Sequence, residues 1–364
     1  MAPRKRRANE QPSSSEEDWS ASSQPHMSTD SQLHIEWPNM PLDPDTFGIT
    51  ICCMVRDFTL LAKGKGKSFN RCSRLATTFT LLIMCLAIQI FLLSQVKRFV
   101  SAKAVHDVRR AYDAFEQHMY DGHTFVFSTS PFVERRGLEG FFDPTAFATM
   151  DPDAQADACR IPLSQPLFFS AVLYIWTLTC VADIRKCKDL FESLVMQTQR
   201  CDTMAESLED EDDIEGGPFV VARLTLPMKL ALTMFVLIPR FCITTYLMWI
   251  GCRWLLATNN FSDLILNSVA LEFILCLKDI LYLAIVPRRS MLDLENTNVK
   301  PTVPKEPESL WVFVGTVAWA VFAALWVALY MGVPGHNGFQ QVLRQYQWDV
   351  HEVCTQWTDA RYAV

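Results

Sequence analysis

Long apolar blocks separated by polar stretches dominate the pattern of this chain. Five of them cover residues 75–96, 166–183, 228–257, 262–287 and 310–333. Roughly 20 residues of helix cross a hydrocarbon core of about 30 Å, and most of the blocks meet that length. Backbone polar groups inside lipid find no water, so blocks of this kind must be helical. Most of them carry Trp or Tyr at an end, where amphipathic rings favour the interface. The pattern predicts an all-α, polytopic transmembrane helical bundle of about five spans, ahead of a soluble protein with five buried core helices.

The intervening segments divide in the same way. Residues 1–46 are rich in Ser, Gln, Glu and Pro, too polar to offset ordering entropy, and read as a disordered cytosolic tail. Arg4-Lys5-Arg6-Arg7 reads as a cytosolic basic patch rather than a nuclear signal. Residues 47–74 combine a short apolar strip with Lys63, Lys65, Lys67, Arg71 and Arg74, a pattern that suits a basic segment lying on anionic lipids. Cys52-Cys53 in that strip is a weak acylation signal. In the loop 97–165, Val105, Val108, Tyr112, Phe115 and Met119 recur at spacings of three and four, predicting an amphipathic helix stopped by Gly122. Leu190, Leu194, Cys201, Met204 and Leu208 extend the second span as a cytosolic helix within 184–227. That helix leads to the acidic run Glu209-Asp210-Glu211-Asp212-Asp213, a solvated linker without calcium-loop spacing. Residues 288–309 form a cytosolic loop and 334–364 an external tail.

Charge sets the orientation. Lys and Arg crowd the flank before the first span, the loop after the second and the loop after the fourth, which places the N-terminus in the cytosol. Lys97, Arg98, Lys103, Arg109 and Arg110 oppose this from the long first loop, where the rule weakens. The net charge of −7 mixes basic patches with an acidic run and excludes a nucleic-acid binder. Of the 12 cysteines, several lie within apolar blocks as small hydrophobes. Cys159 and Cys354 both fall on the external side, and we expect them to form a disulfide between the first loop and the tail; two unrelated thiols are the alternative.

Candidate chemistry is concentrated in the third and fourth spans. A charge at the bilayer centre costs about 2.5–3.5 kcal/mol on insertion scales, so it needs a partner or a function. Arg240 follows Pro239, which removes a backbone donor and kinks or splits the third span. On the fourth span, Ser268, Glu272 and Asp279 fall on one side at about 100° per residue. Counting depth through a tight hairpin brings Arg240 between Glu272 and Asp279, so a buried cluster of Arg240, Glu272, Asp279 and Ser268 is expected. Such a cluster is either an ion pair fixing helix register or the lining of an ion path. Lys278 reads as a boundary residue snorkelling to the headgroups. On the fifth span Thr316, Ala320, Ala324, Ala328 and Gly332 repeat every four residues, a small-residue ladder for close approach of a partner helix or a second copy.

Catalytic signatures do not occur: no H-E-x-x-H, G-x-S-x-G, metal-type Cys spacing or Gly-rich nucleotide loop. No enzyme activity, cofactor or metal is expected, and His106, His118 and His123 read as solvated. Cys159-Arg160-Ile161-Pro162-Leu163, Ile175-Trp176-Thr177-Leu178-Thr179 and Asn267-Ser268-Val269-Ala270-Leu271-Glu272-Phe273 with Lys278-Asp279 resemble segments of uncharacterised multipass membrane proteins of dinoflagellate-like algae. That resemblance implies a membrane bundle and no activity. The sequence reading is a transport- or channel-type membrane protein or subunit, in the plasma membrane or an endomembrane, with a non-conducting assembly subunit as the alternative.

Overall fold

The computed structural model describes residues 40–64, 68–129, 132–210, 219–258, 260–300, 310–333 and 336–362. The protein is an all-α bundle. Its helices are α1 (Thr46–Ala62), α2 (Ser68–Gln95), α3 (Ala102–Met119), α4 (Pro152–Arg160), α5 (Pro166–Phe191), α6 (Leu226–Leu232), α7 (Ile238–Leu256), α8 (Phe261–Ile285), α9 (Arg288–Glu295), α10 (Leu310–Met331) and α11 (Asp349–Tyr362). Among the described residues four helical runs are long and apolar enough to cross a membrane: Phe69–Met119, Pro166–Gln197, Leu226–Leu256 and Phe313–Met331. The remaining apolar block, 262–287, forms α8, which packs beside α2 and α7. α8 carries Asp263 near its start and Glu272, Lys278 and Asp279 along its length. The outward faces are apolar, with Ile90, Leu167, Ile175, Leu266 and Phe313 among the exposed side chains, as lipid requires and water does not.

Three of the runs are continuous across π-helical turns. Val96–Ser101 joins α2 to α3, Glu192–Gln197 prolongs α5, and Thr233–Leu237 joins α6 to α7. The third span is thus one run rather than two half-helices, and the π turn immediately before Pro239 absorbs the lost backbone donor. α5 and α7 pack extensively against each other. They approach closely because Gly251 has no Cβ: one added there would lie 2.5 Å from the Trp176 indole nitrogen.

At one end, α3, α4 and α11 form a lobe with a hairpin pairing Thr124–Thr129 to Phe132–Gly137. The amphipathic reading of α3 holds, since Val105, Val108, Tyr112, Phe115 and Met119 are its buried face. Cys159 and Cys354 are disulfide-bonded with Cα atoms 5.2 Å apart, tying α4 to α11. At the opposite end, α1, α9 and a four-stranded sheet ordered Met40–Pro41, Thr297–Val299, Phe219–Val221, Leu208–Asp210 form a second lobe.

Three expectations are corrected in this second lobe. The basic segment does not lie flat on a surface: α1 is buried along most of its length, packed on α2, α8 and α9. Arg56 and Arg74 pair with Asp293, and Arg74 and Arg71 with Asp57, whose side chain is fully buried. Nothing in the linear pattern places Asp57 and Asp293 beside those arginines. Cys52 and Cys53 are buried, Cys52 against the Thr297 hydroxyl, and are not presented for acylation. The helix after the second span ends at Gln197, because Gln199–Arg200 pairs in parallel with Arg223–Leu224. Cys201 and Met204 therefore lie beyond it. The expected disordered tail falls outside the described residues up to position 39.

Candidate functional site

Arg240 is the largest fully buried side chain, 1% exposed. Its Nη2 lies 2.9 Å from Asp183 Oδ1 on α5, and its Nη1 lies 3.4 Å from Asp45 Oδ2. Lys278 of α8 reaches the same Asp183 oxygen with its ammonium. The second Asp183 oxygen accepts from the Thr244 hydroxyl at 2.8 Å. One carboxylate thus joins α5, α7 and α8 through two cations and a hydroxyl. Charge-assisted hydrogen bonds are the strong ones, and sharing of this kind is what a carboxylate in apolar surroundings requires.

The fourth side of the cluster is the start of α1. Asp45 caps that helix by accepting from the Gly48 backbone N–H at 2.7 Å, so its carboxylate faces both the first turn and Arg240. The Thr46 hydroxyl donates to the Lys278 carbonyl at 2.7 Å, and Phe47 lies under the Arg240 guanidinium, 5.3 Å from ring centroid to carbon. Asp43, a third exposed, sits 3.5 Å from Arg240. Two cations therefore face three carboxylates. Beside them is a cavity of about 10 Å³, lined by Gln89, Asp183, Arg240, Thr244, Leu275 and Lys278. It has room for about one water molecule. Gln89 donates to the Ile274 carbonyl at 3.3 Å while its buried Oε1 has no partner.

The expected cluster is corrected accordingly. Arg240 is buried and paired, but neither Glu272 nor Asp279 is its partner. Glu272 is exposed on the outer side of α8 and Asp279 is half-buried. Among the described residues Ser268 bonds only to its own helix, donating to Ile265 O at 2.7 Å. Lys278 does not snorkel outward; it is 6% exposed and committed to Asp183. One signal for it existed. Lys278 keeps helical register with Leu271, Ile274, Leu275 and Tyr282, all buried, whereas Glu272 keeps register with exposed Ile265 and Val269. The small-residue ladder of α10 also points outward: Ala320, Ala324 and Ala328 are exposed and Gly332 is half-buried. The Thr316 side chain lies outside the described residues. α10 instead meets α5 and α7 through Ala323, Val327, Tyr330 and Met331, with Trp326 edge-on to Trp249.

A second polar cluster lies in the disulfide-bonded lobe. Glu116 of α3 is fully buried, accepts from Gly137 N–H at 2.7 Å through Oε2, and leaves Oε1 unpartnered. Asp349, which starts α11, accepts from the Tyr112 and Tyr120 hydroxyls at 3.3 and 3.2 Å. Burial, reinforced by the Asp349 charge, pushes the Glu116 carboxyl up to about 8. Burial also raises Asp349. Two carboxyls forced together away from water cannot both ionise readily, and the pair retains a proton near neutrality. The histidines of this lobe are dispersed: His118 bonds the Ala146 carbonyl and His123 stacks on Phe141.

No protein-family model, curated protein or solved structure matches this chain. The functional reading therefore rests on the Asp183 cluster and its surroundings.

Proposed function

We propose that the protein is a transport-type multipass membrane protein whose charge-handling centre is Asp183 with Arg240 and Lys278, in a closed state. The observation that carries this reading is the sharing of one buried carboxylate between cations from two neighbouring apolar helices, beside a water-sized cavity. Ionisable side chains within membrane helices are costly and mark ion or proton paths by default. Because Asp183 holds Lys278 and Arg240 together, an entering proton or cation that competes for its oxygens would loosen α8 from α5. The π turn Thr233–Leu237 and Pro239, directly ahead of Arg240, supply a weakened stretch of helix about which α7 can bend. The Lys and Arg distribution favours a cytosolic N-terminus. The disulfide-bonded lobe at the other end then faces an oxidising compartment.

The second reading is a non-conducting assembly subunit. It is supported by the small size of the cavity and by the outward ladder of Ala320, Ala324 and Ala328, which allows a neighbouring helix to pack closely.

Purified protein in liposomes, challenged separately with proton, sodium, potassium and chloride gradients, separates the two. Transport predicts a flux that Asp183→Asn and Lys278→Met abolish in preparations still eluting as a single detergent-solubilised species. Absence of flux under all four gradients, or undiminished flux in a folded Asp183→Asn variant, overturns the transport reading.

A further inference from the structure

Glu272 occupies an unusual position. It is the twelfth of 25 residues in α8, so roughly 16–20 Å of helix extends to either side. It points away from the bundle, among Ile265 (53% exposed), Leu266 (66%), Val269 (57%) and Phe273 (55%). It makes no ion pair or hydrogen bond among the described residues. An outward carboxyl at the middle of an apolar face contacts lipid, where the insertion cost is a few kcal/mol unless something covers it. Ser268 and Cys276, one turn to either side and half-buried, keep the surface beside it low. Small residues at i−4 and i+4 are the geometry that lets a second helix approach a polar residue between them.

We propose that this face of α8 is an intramembrane docking surface for a different membrane protein, one whose helix carries a lysine or arginine at the depth of Glu272. Charge complementarity selects that occupant over a second copy of this chain. Among the described residues of the apolar runs, Arg240 and Lys278 are buried and committed to Asp183, Lys229 is buried against the Val195 and Thr198 carbonyls, Arg71 and Arg74 pair with Asp57 at the inner end, and Lys97, Arg98 and Arg253 lie near the outer ends of their helices. The exposed cations Arg185 and Lys186 follow Asp183, close to the level of Lys278. Lys278 is six residues along α8 from Glu272, a difference in depth of about 9 Å. A second copy therefore offers Glu272 another carboxyl and no cation at its level.

The test uses the full chain in phosphatidylcholine vesicles, labelled with a fluorescence donor. The probes are acceptor-labelled synthetic polyleucine helices whose central residue is Lys, Gln or Leu. The Lys helix is expected to associate about tenfold more tightly than the Leu helix, the scale of an interhelical polar contact of 1–2 kcal/mol, with Gln between them. Glu272→Leu should remove the preference without lowering thermal stability, because the side chain makes no internal bond. Equal association of all three helices, or a Lys preference that survives Glu272→Leu, overturns the proposal. Self-association of the chain without peptide, lost in Glu272→Leu, would assign the surface to a second copy and overturn it as well.

Discussion

Two parts of the molecule bury carboxylates in different ways. In the helix layer, Asp183 is neutralised by Arg240 and Lys278, and its remaining lone pairs are met by Thr244. In the disulfide-bonded lobe, Glu116 and Asp349 face each other with tyrosines and backbone amides but no cation in contact, and a retained proton does the neutralising. The first arrangement depends on distant elements staying together, because its charges come from α5, α7, α8 and the start of α1. The second depends on the proton concentration around the lobe. A buried acid thus acts as a tertiary tie in one place and as a titrating group in the other, according to what offsets its desolvation.

Removing the shared carboxylate is the most forceful way to break the comparison. Asp183→Leu leaves Arg240 and Lys278 buried without their common partner and should destabilise the bundle by about 3–5 kcal/mol, read as a drop in the detergent-solubilised melting temperature. Glu116→Gln, by contrast, keeps a neutral group where the proton already sits and should raise stability near pH 7, because the wild-type carboxyl gives up its proton on unfolding and Gln has none to lose. Cys354→Ser acts only on the disulfide-bonded lobe. It releases the bond between α4 and α11 and should cost about 2–4 kcal/mol, seen as faster hydrogen exchange in α11 while the amides around Asp183 stay protected.

The pH response sharpens the contrast further. The Glu116 carboxyl rises from an ordinary value of 4.5 to about 8 on folding, so the folded lobe binds the proton more tightly than the unfolded chain. Its contribution is complete below about 4.5, declines as pH rises through the window, and is gone above about 8. Hydrogen exchange in α3 and α11 should therefore quicken from pH 5 to pH 8, after correction for intrinsic exchange, and Glu116→Gln should flatten that slope. The smallest expected effect is on the outer face of α10. Ala324→Leu should change the isolated protein's stability by less than about 0.5 kcal/mol, because Ala324 is exposed, while blocking any helix that docks there.

The helices were legible because lipid imposes one rule, long apolar stretches with internally bonded backbones, and composition reports it directly. The amphipathic α3 was legible for a related reason, its spacing of three and four. The need of Arg240 for a partner could also be inferred from desolvation alone. Its partner could not. Depth counting along the α7–α8 hairpin considers only neighbours in sequence, and Asp183 looked like the polar end of the second span. In the structure α5 continues to Phe191, which makes Asp183 an interior residue. Asp45 was hidden in a segment whose composition is that of a tail, and only the cap it provides to α1 gives it a fixed place. The Glu116–Asp349 pair joins residues 233 positions apart, which neither periodicity nor spacing can connect.

The account's central claim is that Asp183 binds Lys278 and Arg240 into one ion-paired unit. A double-mutant cycle tests it directly, comparing the stabilities of Asp183→Asn, Lys278→Met, the double variant and the wild type in the same detergent. Coupling of about 1–3 kcal/mol, with the double variant more stable than the sum of the single losses implies, is the predicted result. Strict additivity of the two losses would mean that the carboxylate and the ammonium do not act together, and would contradict it.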